Sequence, residues 1–281
     1  MGKLKNWFGK IWINLIVKTQ HNGREYSIDL DSGIDLSIPN RFNGNLPVFY
    51  GASSPSIKPV EFGEFIGDVN QGGSCNVKIA SVNIHCTGTH SECIGHINDS
   101  GIFITDVCPK GFIDTCLVTI KPIPAIDSTE KYHSPFGSHD LVITQDLISE
   151  KLNGNFKEGL VIRTIPNSEN KKFLNYDKNP APFLTHDAVD FILEMGVQHL
   201  LVDLPSIDKA DDGGQLGNHH RFFKKGKTIS ELLYIPESVK DGDGLLQIQI
   251  PNWGLDAAPS RPIFYSLWKE IEILFYLFLK L

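Results

Sequence analysis

Residues 185–208, THDAVDFILEMGVQHLLVDLPSID, constrain the fold more than any other stretch. Thr185 is placed to cap a helix in which Ala188, Phe191, Ile192 and Met195 share one face, and Gly196 stops it. The chain then passes straight into an apolar run that ends at Asp203 and Pro205. A helix that delivers the chain into a buried strand is an α/β feature, and sites form at such strand ends. Short β-branched runs bounded by Gly, Pro and Asp predict further strands: GIFITDV from 101, TCLVTIKPIP from 115 and GLVIRTIP from 159. ITQDLISEKL from 143 reads as a second, weaker helix, and Asn22-Gly23 between two extended runs predicts an opening hairpin. The fold class is therefore α/β, a β-rich central sheet or barrel-like core flanked by helices. No linker rich in Gly, Ser or Pro divides residues 1–281, so a single domain is expected, with the polar, Gly-rich loop 205–219 lying over a site.

The bulk composition excludes several functions. A net charge of -7 leaves no basic face to outweigh it, and Lys224, Lys225 and Lys227 read as a solvated turn, so no nucleic-acid partner is expected. Five cysteines, an odd number at irregular spacings, make a poor disulfide framework and point to a reducing, cytoplasmic setting. The first 18 residues read as a lead-in to a strand, without a small-residue cleavage site. The apolar end from Ile271 is shorter than the roughly 20 residues a membrane span requires, so it is expected to pack on the domain or on a second subunit.

The chemistry concentrates in HCTGTHSECIGH, residues 85–96. Every imidazole or carboxylate taken out of water needs a partner, and a metal ion supplies one for several at once. Cys86, His90, Glu92 and His96 fall at spacings of four, two and four, and thiolate, imidazole and carboxylate all suit zinc, the last two manganese as well. Gly88 is expected to let the backbone turn sharply. In NVKIASVNIHC, from 76, strand alternation sends His85 and Cys86 to opposite faces, and they compete for the first ligand position. His133 and His139 read as surface-loop histidines. Asp203 and Asp208 either organise the loop over the site or cap strand ends.

TGTHSECIGH resembles the signature His-x-Gly-Thr-His-x-Asp-x-Pro-x-His of the cyclase and kynurenine formamidase family of metal-dependent hydrolases. IDLSIPNRFNGNLPVFYGA, the helix-strand segment ending in DLPSID, HHRFFKKGKTISELL and APSRPIFY are similar to further family segments, so the likeness runs from about residue 12 to 265, with 266–281 as an extension. The resemblance implies the family's swivelling β/β/α fold and one or two divalent ions, zinc before manganese. It implies Cys86 and His90 as ligands of a first metal, His219 of a second, Glu92 and Glu231 as bridging carboxylates, His96 as proton donor and acceptor, and Phe49 in the place of a substrate-stacking Trp. Cys86 stands where the family has His, Glu92 where it has Asp, and the Pro before the last His is missing; the register of the motif favours Cys86 over His85. The implied activity is hydrolysis of a C–N bond in a small amide or lactam, of the arylformamidase or isatin hydrolase type, by a homodimer or homotetramer. A dehydrating cyclase on the same scaffold, or a relative that binds metal without turnover, are the alternatives.

Overall fold

The computed structural model describes residues 15–21, 24–42, 44–152 and 157–267. Nine strands form one mixed sheet: β1 (Ile34–Asp35), β2 (His90–Glu92), β3 (Phe112–Ile120), β4 (Gly159–Thr164), β5 (His199–Val202), β6 (Thr228–Glu231), β7 (Gly242–Gln249), β8 (Ala257–Pro259) and β9 (Arg261–Ser266). Their order across the curled sheet is β8-β2-β6-β5-β4-β3-β7-β9-β1. The middle four, β6-β5-β4-β3, run parallel, and antiparallel strands extend both sides. Parallel neighbours need crossovers, and each of the three carries a helix: α2 (Gln145–Ser149), α3 (His186–Glu194) and α4 (Gly217–Phe223). A one-turn helix, α1 (Ile104–Val107), precedes β3.

Alternation along the parallel strands divides the interior. Cys116, Val118, Ile120, Leu160, Ile162, Leu200, Val202 and Ile229 point to one face and pack on Ala188, Val189 and Ile192 of α3 and Phe222 and Phe223 of α4. Leu117, Val161 and Leu201 point to the other, against Ile104, Leu246 and Phe264. Fully burying one such side chain stabilises the fold by about 1.5–3 kcal/mol, so both faces hold the sheet.

Local chemistry sets the element ends. The Thr185 hydroxyl accepts the Ala188 N–H at 3.1 Å, and Gly196, with φ +82°, ends the helical run. The buried face of α3 is Ala188, Val189 and Ile192; Phe191 and Met195, expected in the core, are half-buried. GIFITDV, expected as a strand, instead contains α1: the Asp106 carboxylate accepts the Phe103 N–H at 2.9 Å and starts a helical turn that buries Ile104. The opening hairpin is present as Ile16–His21 paired with Arg24–Asp29; its turn, like the terminal segments 1–14 and 268–281, lies outside the described residues. All five cysteines are free, and no helix among the described residues is long and apolar enough to cross a membrane.

Gly159 begins β4 opposite Thr115 of β3, and a Cβ there would meet the Thr115 hydroxyl at 2.4 Å. Thr115 is fully buried, so it has no room to retreat. Gly159→Ala is expected to destabilise the domain by about 1–3 kcal/mol, read as a lower urea midpoint at unchanged slope.

Candidate metal centre

The site is built by one strand pairing. β2 runs antiparallel to β6, with His90 opposite Glu231 and Glu92 opposite Ile229. Residues two apart on a strand share a face, so His90, Glu92 and Glu231 project together, while Ser91 and Ser230 meet on the reverse side with their hydroxyls 2.5 Å apart. The Thr89 hydroxyl fixes the entry to β2: it donates to the Leu232 carbonyl and accepts the Ile38 N–H. Gly88 does not adopt the left-handed backbone of a sharp turn; a Cβ there would press on the amide end of the Asn40 side chain at 2.8 Å.

The face that carries these three residues is the one covered by α4, and α4 brings His219 down onto it. His219 Nε2 lies 2.9 Å from Glu92 Oε1 and 3.5 Å from Glu231 Oε1, while its Nδ1 is 2.7 Å from Asp208 Oδ2. Asp208 also accepts the backbone N–H groups of Asn218 and His219, so it holds the start of α4 as well as the ring. Glu231 is aimed by the Ile207 N–H, which donates to its Oε1 at 2.8 Å. Asp203 has the other role expected of these aspartates: it ties off the end of β4 by accepting from Thr164 and pairing with Lys171 at 2.6 Å.

Charge at the centre is out of balance. Burial disfavours ionised Glu92, but the imidazoles of His219, His96 and His85 around it hold its carboxyl well below the usual range. Burial, with ionised Glu92 alongside, pushes Glu231 well up. His90, fully buried, is pushed down to about 4 by desolvation and by His85 beside it. Burial opposes a charge on His219 too, yet Glu92 and Asp208 raise it well above the ordinary value.

His85 and Cys86 reverse their expected places. The strand Lys78–Ser81 ends before them, residues 84–86 form a turn, and strict alternation therefore no longer assigns their faces. His85 Nε2 points to the site, 3.5 Å from Glu92 Oε2 and 3.2 Å from Asp256 Oδ2, and its ring stacks on His96 at 4.2 Å. Cys86 packs instead with Phe49, Tyr176 and Leu232, and burial beside Glu231 and Asp177 pushes its thiol up to about 11. Phe49 is only 4% exposed in that cluster; the open ring is that of Tyr50, 57% exposed, whose hydroxyl donates to the Ala210 carbonyl across the site loop. His96 faces Glu92 Oε2 at 3.8 Å with Nε2 and Asp256 Oδ2 at 3.4 Å with Nδ1. Asp256 carried no sequence signal: the pairing of Ala257 with Glu92 places it.

Two groups of donors result, His85 with Glu92 and His96, and His90 with Glu92 and Glu231, each within 4.8 Å of one another and sharing Glu92. Donor atoms on one tetrahedral ion stand roughly 3–3.5 Å apart. His90 Nε2 is buried without a hydrogen-bond partner, 3.7 Å from Glu231 Oε2 and 3.9 Å from Glu92 Oε2, and His85 Nε2 is likewise without one. Unpartnered imidazole nitrogens facing paired carboxylates are what a divalent cation satisfies, so the residues fit such a group.

The Cyclase family profile matches residues 34–209. A kynurenine formamidase from Bacillus cytotoxicus is 30% identical over 70% of this chain and 83% of its own, and one from Bacillus cereus is 28% identical over 82% and 95%. Among solved structures, a protein described as a predicted metal-dependent hydrolase from Bacillus stearothermophilus superposes with a TM-score of 0.56 at 17% identity, covering 83% of this chain and 98% of that one. Isatin hydrolase A from Labrenzia aggregata gives 0.59 at 12% identity, covering 84% and 94%. Those two likenesses establish a common fold, and the profile match over most of the chain adds descent: the protein belongs to the cyclase family.

Proposed function

We propose that the protein is a divalent-metal-dependent amide hydrolase that cleaves the C–N bond of a small aryl formamide or a related lactam. The observation that carries this reading is the His90, Glu92 and Glu231 face of β2 and β6, where the buried, unpartnered His90 Nε2 faces two carboxylates. His90, His219 and His85 would be the nitrogen ligands, with Glu92 shared between the two donor groups and Glu231 completing the second; His96, within reach of the first group, is backed by Asp256 at Nδ1 and kept for proton transfer. With His85 in place of Cys86 the set is nitrogen and oxygen throughout, which suits zinc and also manganese. A bound divalent ion supplies Lewis acidity at this face and lowers the pKa of water there.

The chain's own residues do the rest. In the hydrolysis, the oxygen of water bonds to the carbonyl carbon, the C–N bond breaks, and the amine leaves with a proton. His96, 26% exposed on its side chain, stands between Glu92 and Asp256 and carries that proton; Asp256 at Nδ1 leaves Nε2 to face the reacting centre. The backbone N–H of Ile207 keeps Glu231 in position beside Glu92. Tyr50, at the open side, offers an aromatic surface to an anilide or an isatin-like ring.

Hydrolysis of N-formylkynurenine and of isatin by the purified protein, each followed by absorbance, tests the reading. Activity on at least one is expected, lost on chelation and restored by zinc or manganese; a metal-loaded protein inert to both removes it. His85→Ala is expected to lower metal content, whereas Cys86→Ser leaves it unchanged, as measured by elemental analysis after gel filtration. The reverse pattern would return Cys86 to the ligand set. His96→Ala is expected to retain metal and lose turnover by about 100-fold or more.

A further inference from the structure

The segment KYHSPFGSHD, residues 131–140, holds no metal donor of either group, and its histidines read from sequence as surface groups. His139 is exposed, but Tyr132 and His133 turn inward. The Tyr132 hydroxyl donates to Asp208 Oδ1 at 2.7 Å and accepts the Lys209 N–H at 2.9 Å. Asp208 Oδ1 also accepts the Asn218 N–H, and Oδ2 receives both the backbone and the ring N–H of His219. Burial and the Asp208 charge push the phenol far above its ordinary value, which keeps it a donor. His133 supports the same corner from behind. Its Nδ1 is 3.2 Å from His186 Nε2, and His186 Nδ1 is 2.8 Å from Asn218 Oδ1. Asn218 spends both amide hydrogens on the Leu184 and Ile207 carbonyls, so its oxygen accepts and His186 Nδ1 donates. Gly217 leaves the room, since a Cβ there would strike His133 at 2.2 Å.

We infer that Tyr132 is a positioning residue for His219: by holding Asp208 from its far oxygen, the phenol fixes which nitrogen of His219 carries the proton and aims Nε2 at the face shared with Glu92. The inference rests on His219 being a metal ligand. The physics is that of a carboxylate with two faces. Oδ2 orients the imidazole, and Oδ1 must be pinned or the carboxylate rotates about its own axis and takes the ring with it. On Oδ1 a backbone N–H and the phenol are the two pins, and the phenol is the one that comes from a separate segment. A partner directly behind a metal-ligating imidazole, as Asp208 is, typically accounts for 10- to 100-fold in metal affinity, and the phenol acts through that partner, at the low end of this range.

Tyr132→Phe removes the hydroxyl and keeps the ring that packs on Phe183, Phe136 and His186. Metal-free protein, titrated with zinc against a chromophoric chelator, is expected to bind roughly tenfold more weakly in this variant. The visible spectrum of the cobalt-loaded protein is expected to change, and kcat to fall more than KM rises. Phe136→Leu, which disturbs the same loop without touching Asp208, is expected to leave zinc affinity unchanged. In an Asp208→Asn background, Tyr132→Phe should add less than twofold. Equal zinc affinity and an equal cobalt spectrum in wild type and Tyr132→Phe would overturn this inference alone, as would an equal loss in Phe136→Leu. No divalent binding by the wild type would overturn it together with the reading of the site.

Discussion

Two carboxylates buried side by side set the terms for the rest of this molecule. Glu92 and Glu231 belong to neighbouring strands, and the antiparallel register that puts His90 opposite Glu231 leaves both acids on one closed face. Like charges in such a place cannot both ionise without a positive partner. His219 is brought to that face by a helix start and held by an aspartate behind it, with Gly217 leaving room for His133 at the same corner. Much of the polar architecture on this side of the sheet follows from neutralising or aiming those two acids.

The scaffold meets that demand economically. Four parallel strands provide a rigid floor, and the crossover helices cover the face on which the acids sit. Glu231 stands at the end of β6, and Asp208 follows β5, so both arise where parallel strands finish and loops begin. The antiparallel strand β2 is then slotted against β6 from outside, bringing a motif written more than a hundred residues earlier in the chain.

Residues whose roles depend on regular structure were legible in the sequence. The α3–β5 unit, β3 and β4 announced themselves through periodicity and their flanking Gly and Pro, and His90 and Glu92 stood out by ligand chemistry, the spacing of their cluster and the family motif, although the short strand that carries them did not. Legibility failed where the backbone is irregular. One turn at residues 84–86 exchanges His85 with Cys86, because alternation carries no information once the strand has ended. Phe49 is buried and Tyr50 exposed for a similar reason: Tyr50 has φ +52° and a side chain thrown outward, which no pattern of hydrophobicity encodes. Asp256 and Tyr132 act through tertiary approach alone, from the bend just before β8 and from a loop, and nothing in their neighbourhood marks them.

The place of β2 in the sheet also dictates an order of events during synthesis. Both of its neighbours, β6 and β8, are made after it, by well over a hundred residues. As the polypeptide leaves the ribosome, His90 to Glu92 therefore emerge with neither strand neighbour yet made, and the first of them follows only after more than a hundred further residues. Contacts this distant in sequence are slow to form, and unpaired edges invite wrong partners in the interval. The strand is only three residues long and each carries a polar side chain, His, Ser and Glu. A segment so short and hydrophilic makes a poor template for aggregation, so the composition that serves the finished centre also protects the nascent chain while it waits.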